Sequence, residues 1–155
     1  MEIYSVLDTE LDWLRRDLSG RGVHVYELDG SSVSDDISFY TAALSALPMG
    51  DASKCPEVDW CQPANWNWNA FIDFLWQGLT EESADPTALI WLEVDRVVVE
   101  NRQTLRDALH CIGFVADNPG HDKSRPLGKP AEVYLVGHVR LPEFNPPPAL
   151  VSQQA

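Results

Sequence analysis

Thr87–Val94 (TALIWLEV) is the segment that most constrains the fold. It is a continuous apolar run of strand length, the pattern of a strand buried on both faces in the middle of a sheet. Val23–Leu28 (VHVYEL) alternates β-branched and aromatic residues and closes on the turn pair Asp29-Gly30, and Ala131–Gly137 (AEVYLVG) repeats the strand signature. Helical periodicity separates these three runs. Parallel neighbours need a crossover, so strands alternating with helices imply an α/β layer with a mainly parallel sheet of three strands. Glu2–Leu7 is either a fourth, edge strand or a strap.

The helices are marked by spacing. Leu11, Leu14 and Leu18 recur between Asp8 and Gly20. Ile37, Tyr40, Thr41, Leu44 and Leu47 recur up to Pro48, with Asp35 or Ser34 placed to cap. A helix is predicted over Trp66–Leu79 and another over Asn101–Ile112, the latter with Leu105, Ala108, Leu109 and Ile112 on one face. Met49–Pro63, rich in Asp, Pro, Gly and Ser, has no period and is predicted to be a loop. From Leu141 onward the chain is proline-rich and then polar, which predicts an extended, poorly packed tail. The expected organisation is one domain over residues 1–140, with its core in 23–137, a strand–helix extension in 1–22 and the tail in 141–155.

Charge narrows the function. The 155 residues carry a formal charge of −13. Residues 27–100 hold fourteen acids against two bases, Lys54 and Arg96, and the rest of the chain is nearly neutral. Such a field repels phosphate backbones, so direct nucleic-acid binding is disfavoured, and it attracts and accelerates a basic partner. Solubility alone is the plainer reading of the acidity. No basic leader and no apolar run of about 18 residues is present, so neither export nor membrane spanning is expected. Cys55, Cys61 and Cys111 leave one thiol unpaired in any disulfide scheme, which suits a reducing cytoplasm. Cys55 and Cys61 lack a second ligand pair, so no metal or other cofactor is expected. His24, His110, His121 and His138 are scattered, no Ser or Cys sits in a nucleophile motif, and no glycine-rich phosphate loop follows a strand. An enzyme is therefore not expected.

The most specific string is Asn65-Trp66-Asn67-Trp68-Asn69-Ala70-Phe71-Ile72-Asp73-Phe74-Leu75. On a helix Ala70, Phe71, Phe74, Leu75 and Gly78 share one side, and Asn69, Ile72, Asp73 and Trp76 share the other. A solvated face normally carries Lys, Glu or Gln. This one sets a carboxylate and an amide beside isoleucine and tryptophan, as binding hot spots do, because a buried aromatic excludes water around a polar anchor. Packing of Ile72 and Trp76 under the long loop or the tail is the competing account.

In order, VHVYELDG, SDDISFYTAALSALP, NWNAFIDFL, TALIWLEV, TLRDAL and EVYLVG resemble the barstar family, intracellular inhibitors of barnase-like ribonucleases. The resemblance covers about residues 23–137, and only the central motif is individually specific. It implies a barstar-like sheet with packed helices and a protein that blocks the cationic active site of a basic ribonuclease, a secreted enzyme or the nuclease end of a toxin. By resemblance, Asp73 falls on the key inhibitory carboxylate, which occupies a phosphate position in the nuclease. Asn69 falls where a second Asp is more usual, Ile72 where a tryptophan can stand, and Asp107 on a further acidic contact. Ala64-Asn65 replaces the usual aromatic-Gly pair, and the insertion from Met49 to Gln62 is long. The expected partner-binding set is Asn65, Asn69, Ile72, Asp73, Trp76 and Asp107. The missing second aspartate leaves an alternative, an acidic barstar-fold module with a non-nuclease protein partner.

Overall fold

The computed structural model describes residues 1–54, 57–59, 62, 65–81, 86–118 and 132–153. Strands β1 (Glu2–Leu7), β2 (His24–Asp29), β3 (Thr87–Leu92) and β4 (Glu132–Gly137) form one all-parallel sheet in the order β1-β4-β3-β2. Glu2–Leu7 is thus an edge strand, in register with β4 through Tyr4 opposite Tyr134.

The connections explain the layers. From β1 the chain crosses the whole sheet to β2 through α1 (Leu11–Gly20), then steps back one strand at a time. These steps run through α2 (Asp36–Ala46) and α3 (Trp68–Glu81), then α4 (Asp95–Glu100) and α5 (Arg102–Asp117). Right-handed crossovers running in opposite directions put their helices on opposite faces. Leu14 and Leu18 of α1 accordingly pack on Val6, Ala88, Ile90, Tyr134 and Val136. The alternate residues Leu89, Trp91, Val133 and Leu135 join Phe39, Phe71, Leu105 and Ile112 on the other side. Both faces of β3 are covered, which is why TALIWLEV reads as unbroken apolar sequence.

Several expectations are corrected. The third strand ends at Leu92, not Val94, because Glu93 turns with φ 50 and Val94 leads into α4. Val94 and Val97 are buried there, so DRVVVE forms a short helix that its sequence alone does not announce. The expected face of α2 is rotated: Phe39, Tyr40, Ala43 and Leu47 are buried, whereas Thr41 is exposed. DISFYTAALSA is apolar on most sides, so periodicity selects no face and packing does. Helix α5 runs to Asp117, five residues beyond Ile112. Part of the expected loop is ordered, with a 3₁₀ turn over Gly50–Lys54 beside the buried side chains of Met49 and Ala52. Cys55 and Cys61 lie outside the described residues.

Asp35, not Ser34, caps α2. Its Oδ1 accepts from the Ser38 N–H at 2.8 Å, and Ser38 Oγ accepts from the Asp35 N–H at 3.0 Å. Chiefly the Ser38 N–H, and then its hydroxyl, hold the Asp35 carboxyl below the usual carboxylate range. A carboxylate lowered on folding stabilises above its unfolded value, near pH 3.9, and that contribution is lost as pH falls through the lower folded value. Asp35→Ala should cost about 1 kcal/mol at neutral pH. Asp35→Asn should keep most of the cap while flattening the acid limb of stability, and an unchanged limb in urea titrations at pH 2–5 would assign that limb to other groups.

The tail is not poorly packed. Leu141 and Leu150 are buried, Phe144 lies against the core, and Pro148–Gln153 forms a helix, α6. The exposed edge of β1 needs partners for its backbone. Asn145 supplies a carbonyl to the Ser5 N–H at 2.9 Å, Ser5 Oγ accepts from the Leu141 N–H at 2.8 Å, and Arg140 donates to the Ser5 carbonyl and to Glu10. Prolines end the pairing because they have no N–H to give. Ser5 is fully buried, so Ser5→Ala strands the Leu141 N–H. The expected loss is about 1–3 kcal/mol by urea unfolding, and no loss would mean that the tail does not dock on β1.

Candidate functional site

Helix α3 is held at both ends, and this makes its outer face a fixed surface. In NWNWN the side chains alternate: Asn65, Asn67 and Asn69 are exposed, and Trp66 and Trp68 are half-buried. Asn67 starts the helix by accepting from the Ala70 N–H at 2.7 Å, so α3 begins at Trp68 and not at the expected Trp66. Trp66 packs against Tyr40 and Trp68 at centroid distances of 5.5 and 5.0 Å, and Trp68 packs against Phe39 and Phe71. Phe39 in turn stacks on Trp91 at 5.1 Å, which ties the start of α3 through α2 to the sheet. At the other end Gly78 lies against the Pro48 carbonyl, and Gln77 exchanges hydrogen bonds with the backbone and side chain of Asp51.

Between these anchors Phe71 and Leu75 point into the core, and Asn69 and Asp73 point to solvent. Trp76 is 37 % exposed, an unusual setting for the largest apolar side chain. Ile72 is only half outward, with part of its surface packed at the margin of the core. The face therefore carries Asp73 and Trp76 one helical turn apart, with Asn69 one turn before Asp73.

The two remaining expected residues lie outside α3, Asn65 in the segment before it and Asp107 on the adjacent helix α5. Asn65 is engaged by its own loop, donating to the Asp59 carbonyl at 2.8 Å while its backbone N–H bonds Gln62. Asp107 is half-buried on α5, the helix packed beside α3, and accepts from Gln103 Nε2 at 2.8 Å. Burial first, and then the charge of Asp107, push the Cys111 thiol up to about 11, so it stays protonated at neutral pH.

Much of the central acidity is committed to structure. Asp29 accepts from the Ser31 N–H and is held below the usual range by it, Asp36 accepts from Thr104 Oγ1 at 2.5 Å, and Asp51 is bound to Gln77. Arg96, one of the two bases in this stretch, is spent on the Ser31 carbonyl and Glu100. Arg96 is exposed and pairs with Glu100, so it offsets one carboxylate and the stretch as a whole stays net negative.

One grouping was not legible in the sequence. His138 Nδ1 lies 2.5 Å from Asp8 Oδ2, and the His138 N–H donates to Asp95 Oδ2 at 2.8 Å. These residues follow β4, β1 and β3 at the carboxyl end of the sheet, and only strand order makes them neighbours. His24 is exposed and makes an edge contact with Tyr26; His110 is exposed on α5. Among the described residues no set of three His, Cys, Asp or Glu is arranged to hold a metal, and no helix is long and apolar enough to cross a membrane. The chain matches no protein-family model, no curated protein and no solved structure.

Proposed function

We propose that this chain is a cytoplasmic protein inhibitor that blocks the cationic active site of a ribonuclease, acting as the barstar family it resembles does. The observation that carries this reading is the outer face of α3, where exposed Asp73 stands one turn from exposed Trp76 on a helix anchored at both ends. A ribonuclease stabilises a phosphate transition state with Lys, Arg and His, so its site is a cationic cleft. A carboxylate fixed on a helix fills that cleft with charge-assisted bonds, presents nothing to hydrolyse, and is sealed from water by the neighbouring indole. The succession β2, α2, α3, β3, α5, β4, with the short α4 inserted before α5, follows the order that the resemblance implies, which supports the reading. Asn69 is the specific observation favouring the second reading, a regulatory module with a non-nuclease protein partner, because it removes one of the two expected inhibitory charges.

Both readings make the chain a binding protein and not an enzyme. Titrating it into basic ribonucleases encoded by the same genome should abolish RNA cleavage at one equivalent, and oligonucleotide should compete with the complex. Binding that leaves cleavage intact, or recovery from the native host of a non-nuclease partner alone, would overturn inhibition in favour of the second reading.

A further inference from the structure

On the sheet face opposite α3, a cleft of about 260 Å³ opens between α1 and the docked C-terminal tail, residues 141–153, which forms a strap. Its floor is the stacked pair Tyr4 and Tyr134, with ring centroids 5.4 Å apart, and Trp13 of α1 forms one wall. The opposite wall is the chain's own Pro147-Pro148-Ala149, with Pro147 buried.

We propose that this cleft binds an extended, proline-rich segment of a partner protein that also carries a basic residue. The first argument is the lining itself: the Tyr4, Trp13 and Tyr134 side chains that line the cleft have the chemistry that polyproline recognition uses. A preformed extended backbone lays its rings on aromatic faces at little entropic cost. The second is size and shape. The volume is below the roughly 300–1,000 Å³ usual for small-molecule pockets, and the cleft is open to solvent, so it suits a passing chain better than an enclosed ligand.

The third argument is the polar end. Arg21 donates to Asp17 at 3.1 Å, to Glu132 at 3.1 Å and to the Tyr134 hydroxyl at 3.2 Å, and that hydroxyl donates to Glu132. One guanidinium between two carboxylates leaves the end negative, which favours a basic residue. The locked geometry fixes the site before binding. Strand addition is the rival mode, and it is blocked because Asn145 already bridges the outer edge of β1.

The test is a titration of the ¹⁵N-labelled full chain with a synthetic polyproline peptide carrying one arginine. A glycine-serine peptide of equal length and charge is the control. Saturable shifts should appear at Tyr4, Trp13, Asp17, Arg21 and Tyr134 and not along α3, and the control should be inert. Trp13→Ala should weaken binding on the order of tenfold, and Trp13→Phe should retain most of it. If Trp13→Ala fails to fold, the titration of the unaltered chain and of Trp13→Phe decides. Absent or non-saturating shifts, shifts centred on α3, an equal response to the control peptide, or Trp13→Ala binding as well as the parent would each overturn the proposal. Asp73→Ala should bind the peptide normally, so this outcome is independent of nuclease inhibition.

Discussion

Gly78→Ala is expected to destabilise the chain by about 3 kcal/mol, the upper end for overpacking, and to lower the melting temperature by roughly 10 °C. Helix propensity alone predicts the reverse, because alanine in a helix interior is favoured over glycine by about 1 kcal/mol. Contact decides the sign. A Cβ at position 78 would lie 1.6 Å from the Pro48 carbonyl oxygen and 2.9 Å from the Gly50 nitrogen. These are backbone atoms, and proline's locked φ leaves that segment little room to yield. Helix α3 would have to lift off residues 48–50, stretching the Gln77–Asp51 bonds and moving the turn that bears Trp76. Gly20, at the end of α1, has open space around its would-be Cβ, so Gly20→Ala serves as the control and should be neutral or slightly stabilising. Equal melting temperatures for the two variants in a thermal scan would show that α3 does not rest on Pro48.

Asp73→Ala should weaken the complex with a cognate ribonuclease by several kcal/mol, a hot-spot loss, while leaving folding nearly unchanged. Asp73 is exposed in the free chain, so removing it exposes nothing and empties no cavity. In the complex the same change leaves the partner's cations buried without a counter-charge, and that penalty dominates. Glu81, exposed in the last turn of α3, acts through the long-range field instead. Its replacement should slow association modestly and reduce the dependence on salt, with dissociation almost unaffected. Stopped-flow association and dissociation rates at low and high salt separate the two, and equal effects would leave only a diffuse acidic surface with no central anchor.

The parallel α/β sheet was legible in the sequence because burial on both faces writes an unbroken apolar run at Thr87–Leu92, and crossovers write helical periodicity between strands. The outer face of α3 was equally legible, since Asn69, Asp73 and Trp76 are set by a local repeat that the helix preserves. Non-local contacts decided the rest. DISFYTAALSA offers apolar residues all round, so only Trp91 and the aromatic residues of α3 select Phe39 and Ala43 as its buried side. Asn65 looked free in the string NWNWN, and its engagement depends on a loop folding back to Asp59. Prolines in LPEFNPPPAL exclude a regular strand but say nothing of a neighbouring edge. Tertiary structure brings the Ser5 hydroxyl and the open side of β1 to that segment, and converts a polar-looking tail into a docked strap that walls an aromatic cleft. Hydrophobic period reports what each element must bury, and which partner buries it is a property of strand order, which no local pattern encodes.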